Sequence, residues 1–204
     1  MIVVRSAPRS AILALVLVLA ACVPPQKPIS YYNLAVLGGE KKGDARTARL
    51  RIQVREVSLP QYLDRSQIVV RTSLNRYTVS DSHTWLEQLP AAVARVLAED
   101  IGARLGTPSV YTPSQMVPYK LDYLVDVDIF RLEPVADGTV ELDARWHLFR
   151  GTSRVVDSRR LRLRIPVTAG EYEAYVAGMS DALARLADDI TEAILARRKG
   201  GRSS

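Results

Sequence analysis

The 204-residue chain has one cysteine, two histidines and two phenylalanines. A single thiol excludes an internal disulfide, so packing alone must hold whatever folds. The histidines, His83 and His147, are too few and too far apart for an HExxH zinc spacing, and no GxSxG elbow is present. The glycine-punctuated stretch from Gly38 to Asp44 (GGEKKGD) lacks the Lys-Ser/Thr pair of a phosphate-binding P-loop. Long apolar runs are scarce too. The run of Ala, Ile, Leu and Val from Ala11 to Ala21 is eleven residues, well short of the roughly 20 that a membrane-spanning helix needs.

That short run has another reading. Arg5 and Arg9 precede it without an acid between them, and a basic stretch followed by about 7–15 apolar residues is the layout of an export signal. The run closes on Leu19-Ala20-Ala21-Cys22, in which the small residues of a cleavage site are followed by the chain's only cysteine. This resembles the bacterial lipobox, whose cysteine takes a diacylglycerol thioether, becomes the new N-terminus and is then acylated with a fatty chain such as palmitate. An incidental free thiol is the plainer alternative, but unpaired cysteines are unusual in an oxidising compartment. Residues 1–21 are thus expected to be a cleaved signal peptide and Cys22 the lipidation site. Residues 22–29, rich in proline, form a tether that lifts the domain about 20 Å from the lipid. Two or three acyl chains at about 0.8 kcal/mol per buried CH₂ outweigh surface charge as the anchor.

A net charge of +6 and a pI near 9.6 invite a nucleic-acid reading. Without the two leader arginines and the four basic residues of the last eight, residues 22–196 hold 22 charges of each sign. The body is neutral, which argues against a nucleic-acid-binding face. Residues 197–204 read as a basic, frayed tail, with acidic headgroups as the sharper alternative.

Within 30–196 a single α+β domain is expected. Tyr31 to Leu37 reads as a strand, and Leu50, Ile52 and Val54 alternate with Arg51, Gln53 and Arg55 as a second. Gln67–Arg71 and Tyr77–Ser80 suit a hairpin turned at Leu74-Asn75-Arg76. Leu86, Leu89, Val93, Val96, Leu97, Ile101 and Leu105 then fall on one helical stripe, stopped by Gly106 and Pro108. Three further runs, Lys120–Leu132, Val140–Leu148 and Leu161–Val167, alternate apolar and charged residues and predict an antiparallel meander with one greasy face. Their polar faces differ in sign: Asp122, Asp126 and Asp128 on the first, Arg160, Arg162 and Arg164 on the third. Cross-strand ion pairs, or a charged docking surface, are the two readings. Tyr172 to Ile194 traces a second amphipathic helix. The expected fold is an antiparallel sheet with two amphipathic helices packed on one face, two layers in one domain.

Chemistry is hard to place on this frame. His83 falls in a polar turn and His147 on the wet face of a strand. Asp126 and Asp128 share a strand face about 6.5–7 Å apart, a separation compatible with paired-carboxylate hydrolysis, but nothing marks a sugar cleft. No enzyme, cofactor or metal site is expected.

The segment Leu59-Pro-Gln-Tyr-Leu-Asp-Arg-Ser-Gln-Ile-Val-Val-Arg71, followed by Trp85-Leu-Glu-Gln-Leu89 and the first helix, resembles the ABC-type transport auxiliary lipoproteins. The residues carrying the likeness are Tyr62, Leu63, Asp64, Arg65, Gln67, Ile68, Val69, Trp85, Glu87 and Leu89, together with the early Tyr31-Tyr32-Asn33-Leu34 strand and the lipobox. Ser66 stands where the family often has proline. The resemblance implies a non-catalytic periplasmic accessory of a system that moves lipid between two membranes, with an MCE-domain or Pqi-type transport protein as partner. It also implies a homo-oligomeric ring around the conduit. Val23, in place of the aspartate that retains many lipoproteins at the inner membrane, favours the outer membrane. A lipid-binding carrier, and more remotely a periplasmic hydrolase, are the alternatives. The loop itself has two readings, a buried corner filled by Tyr62, or a docking patch of Tyr62, Leu63, Asp64, Arg65 and Trp85 with Tyr and Arg as anchors.

Overall fold

A computed structural model describes residues 27–117, 120–151 and 154–200. The leader, Cys22 and residues 201–204 lie outside the described residues, as does most of the 22–29 tether. Eight strands run in chain order as β1 (Ser30–Tyr32), β2 (Ile52–Ser58), β3 (Gln67–Ser73), β4 (Arg76–Trp85), β5 (Val110–Tyr111), β6 (Tyr123–Val135), β7 (Thr139–Arg150) and β8 (Arg154–Pro166). Two helices, α1 (Leu89–Leu105) and α2 (Tyr172–Gly200), pack on one face of the sheet. The α+β two-layer architecture is therefore as the alternation and the helical stripes required.

The sheet is mixed rather than wholly antiparallel. β6, β7 and β8 form the expected antiparallel meander, with Val127 opposite Trp146 and Ala144 opposite Leu161. β2, however, lies parallel to β6 along its first half and parallel to β5 on its other side. The same edge of β6 then passes to β3, whose Arg71 pairs with Val135, and the β3–β4 hairpin carries β1 in parallel beyond it. Hydropathy alternation records which face is wet but not which strands neighbour each other, so these parallel pairings were not legible.

The core fills the space between sheet and helices. Ile52, Val125, Leu142, Trp146 and Leu148 meet Val93, Leu97, Ile101, Leu183, Leu186 and Ile190, all essentially inaccessible. Burying a side chain of this size contributes about 1.5–3 kcal/mol before entropy, so the two helix stripes supply most of what holds the second layer on the sheet. The α2 seat is fixed by polar contacts as well: Trp146 Nε1 donates to Asp189 at 2.8 Å, and Arg159 donates to the other oxygen of Asp189 at 2.8 Å.

Several boundaries differ from the sequence reading: β8 begins at Arg154, well before Leu161, and β5 was not expected. β1 stops at Tyr32, because the segment after it leaves the sheet and is held by helix side chains instead. Ser180 Oγ accepts from Ala35 N, Asp100 accepts from Gly38 N at 2.7 Å, and Arg95 donates to Leu34 O. β4 extends to Trp85 and α1 starts only at Leu89, leaving Leu86 67% exposed in the connection instead of on the helix stripe. His83 accordingly sits on β4, not in a turn. At the far end α2 continues to Gly200, with Arg197 pairing with Asp157 and Arg198 with Asp44, so the tail is helical and ion-paired for its first residues. α1 ends as expected at Gly106, whose φ of 69° is the left-handed cap that glycine adopts without strain.

Candidate functional site

The loop from Leu59 to Ser66 fills the place where β6 exchanges one neighbour, β2, for another, β3. It is a tight turn, with Leu63 N donating to Pro60 O at 2.9 Å and Trp85 N to Ser66 O at 2.6 Å. Leu63 and Trp85 point into the core, at 4% and 6% exposure. Leu63 supports the loop from beneath, while Trp85, though mostly buried, also lines the smaller of the hollows beside it. Asp64 and Arg65 are fully on the surface.

Tyr62 is half-buried and its phenol donates to Glu133, a carboxylate with no solvent exposure. Burial, reinforced by that acceptor, pushes the Tyr62 phenol far above its ordinary value, so it stays a donor. Glu133 also accepts from Tyr77 at 3.3 Å and pairs with Arg71 Nε at 2.9 Å, and Arg71 reaches on to Glu141. The Tyr62 and Tyr77 rings lie 5.0 Å apart. This buried polar knot pins the loop to β3, β4, β6 and β7, and sequence reasoning missed Arg71, Tyr77, Glu133 and Glu141. The available signal was Glu133 itself, an acid in the apolar run Leu132-Glu-Pro-Val135 just after the alternation changes phase.

Two hollows open on this side of the molecule and share Glu87 and Gln88 in their linings. One, of ≈ 330 Å³, lies between Asp64, Arg65, Ser66 and the exposed Leu86. The other, of ≈ 540 Å³, runs along α1 over Ala91, Ala94 and Ala98 toward Val57, Val110 and Pro113. Arg95 spans the rim, bonded to Glu87 at 2.7 Å and to Asn33 at 3.1 Å. The result is an open, shallow strip with an exposed leucine and mixed charges at its mouth, a shape suited to a protein surface.

The other chemistry-bearing residues are already engaged. Asp126 is held by Arg55, Asp128 accepts from Ser58, and His147 stands 3.8 Å from Asp128. His83 stacks on Tyr172 with ring centroids 3.7 Å apart, and its Nδ1 shares a hydrogen bond of 2.9 Å with the Tyr32 hydroxyl. Among the described residues no group of three or more His, Cys, Asp or Glu side chains is placed to hold a metal ion, and no helix is long and apolar enough to cross a membrane.

The model of the ABC-type transport auxiliary lipoprotein component matches residues 32–191. The chain belongs to that family. It is 25% identical over 130 residues to the intermembrane transport lipoprotein PqiC of Escherichia coli strain K12, covering 64% of this chain and 68% of that one, and to the same degree to PqiC of Shigella flexneri. Two solved structures share the fold. Protein XCC0632 from Xanthomonas campestris superposes with a TM-score of 0.68 at 16% identity, covering 84% of this chain and 99% of its own. The crystal structure of an uncharacterized protein gives a TM-score of 0.67 at 20% identity, over 82% and 99% of the two chains. The matched segment of this transport auxiliary lipoprotein begins inside β1 and includes the loop, the hollows and most of α2.

Proposed function

We propose that this protein is a non-catalytic, lipid-anchored accessory of an MCE- or Pqi-type intermembrane lipid transport system, held at the periplasmic face of the outer membrane by acyl chains on Cys22. The observation that carries the reading is the family match across nearly the whole folded body, joined to a lipobox whose cysteine is the chain's only thiol. The strip formed by Asp64, Arg65, Leu86 and Glu87 is the docking surface for the transport partner, with Tyr62, Leu63 and Trp85 as its internal support. Several copies around the conduit would place such strips in a ring.

The carrier alternative is less well served by this body, because the space between sheet and helices is filled by side chains such as Trp146, Leu97 and Leu186. The hydrolase alternative would have to use Asp126, Asp128 or His147, which are engaged with Arg55, Ser58 and each other.

Separating inner from outer membranes on a sucrose gradient tests the anchor. The wild-type protein is expected with the outer membrane, and Cys22→Ala in the periplasmic soluble fraction while still folded. Unchanged membrane attachment of Cys22→Ala would remove the lipid anchor. Capture of an MCE-domain partner from detergent extracts tests the strip: Arg65→Glu with Leu86→Ser should lower capture about tenfold, whereas undiminished capture by a folded double variant sinks the docking assignment.

A further inference from the structure

The wet side of β6–β8, on the far side of the sheet from the helices, carries a feature that anchoring and the loop do not explain. A bulge between Ile129 and Arg131 breaks the register of β6 with β7, and bulges re-aim side chains. Phe130 follows Asp126 and Asp128 on the wet face and is 40% exposed, and the bulge brings Arg131 onto that same face beside it. The Arg160 guanidinium lies 4.7 Å from its ring centroid and that of Arg145 5.5 Å. Arg145 and Arg160 are register partners on β7 and β8, so two like charges face each other directly, a pairing that costs stability. Asp143 neutralises Arg160 at 2.7 Å, whereas Arg145 lies over the ring with Asp128 opposite it on β6.

Around this sandwich Arg162 shares Asp143 at 3.2 Å, Arg164 takes Asp137 at 2.6 Å and Arg131 takes Glu141 at 3.4 Å. Arg131, Arg160, Arg162 and Arg164 line a shallow depression of ≈ 570 Å³ beside Arg145. Around the ring, Arg131, Arg145, Arg160, Arg162 and Arg164 thus stand against Asp128, Asp137, Glu141 and Asp143, and Arg and aromatic residues are the usual anchors of protein interfaces.

We propose that this face docks an acidic segment of a partner protein, with carboxylates meeting Arg145 and Arg162 and an apolar side chain covering Phe130. A bilayer surface is the poorer occupant. Asp137, Glu141 and Asp143 stand among the arginines, and a uniformly anionic plane would press on them, whereas a peptide can set its acids over the guanidinium groups alone.

The test uses a fluorescent poly-glutamate peptide and the mature chain in detergent, read by anisotropy at low and at physiological salt, with phosphatidylglycerol-containing vesicles as the membrane probe. Poly-glutamate should bind at low salt, and Arg145→Glu and Phe130→Ala should each weaken it about tenfold. Arg185→Glu, the same charge change on the exposed side of α2, should leave binding within about twofold. Phe130→Ala removes an already exposed ring, so it retains the fold even if the charge reversal does not. No binding of the peptide, equal losses for Arg145→Glu and Arg185→Glu, or patch-dependent binding of vesicles without peptide binding would each overturn the proposal.

Discussion

Replacing Glu133 with alanine probes the knot under the loop. The carboxylate is wholly buried and holds Arg71, Tyr62 and Tyr77. Removing one member of a buried ion pair typically costs about 3–5 kcal/mol, because the other charge is left without its partner. Here Arg71 keeps Glu141, so the loss should fall at the lower end, about 3 kcal/mol. That is a large share of a domain stability of roughly 5–15 kcal/mol and corresponds to a drop of about 6–12 °C in Tm for a chain of this size. Urea unfolding followed by circular dichroism gives the free energy, and the double variant Arg71→Ala/Glu133→Ala should be less destabilised than the two single variants added together, by about 1 kcal/mol or more. Tyr62→Phe, which removes one hydroxyl from the knot, should cost only about 1 kcal/mol. A loss under about 1 kcal/mol for Glu133→Ala, or strict additivity in the double variant, would refute the view that this knot fixes the loop.

Other consequences are as direct. Arg160, donating to Asp143, holds that carboxyl below the ordinary carboxylate range against the opposing effect of burial. A depressed acid contributes stability above its unfolded value near 3.9 and loses it as pH falls through the folded value. Asp143→Asn should therefore flatten the acid side of a stability profile measured by urea midpoints below about pH 4. Asp100 has the opposite sign: burial raises its pKa despite Arg104 nearby, so stability falls as pH rises from about 3.9 through the folded value, and Asp100→Asn should abolish that decline. Gly178→Ala would set a methyl 2.6 Å from Val167 and 2.9 Å from Val140, where α2 lies close on β7, and should lower stability by about 1–3 kcal/mol in the same assay.

The parts of the fold written in single-segment patterns were readable from the chain. The meander of β6–β8 shows in Val125-Val127-Ile129, Val140-Leu142-Ala144 and Leu161-Leu163-Ile165, whereas the charges pair differently from the contrast in sign: Arg160 and Arg162 take Asp143 of the intervening β7, and Asp126 and Asp128 of β6 turn to Arg55 and Ser58 of β2. Both helices appear in their stripes, apart from Leu86. What depended on long-range company was not readable. Nothing in Ile52–Ser58 says that it will lie parallel to β6, and nothing in Asn33–Leu37 says that Ser180, Asp100 and Arg95 will take the backbone bonds a sheet would otherwise supply. The candidate site was legible as a conspicuous loop. Its division into buried supports, Leu63 and Trp85, and surface groups, Asp64 and Arg65, required the knowledge that the loop plugs a change of neighbours along β6.

That change of neighbours has a mechanical side. The N-terminal end enters through β1, a three-residue ladder on β4, and the β1–β4–β3 flap joins the rest of the sheet at Arg71 opposite Val135. Tension drawn through the N-terminus is thus met first by shear along β1, and is passed to the long β6–β8 ladder through one backbone register pair and the Glu133 knot that ties Arg71 and Tyr77 to β6.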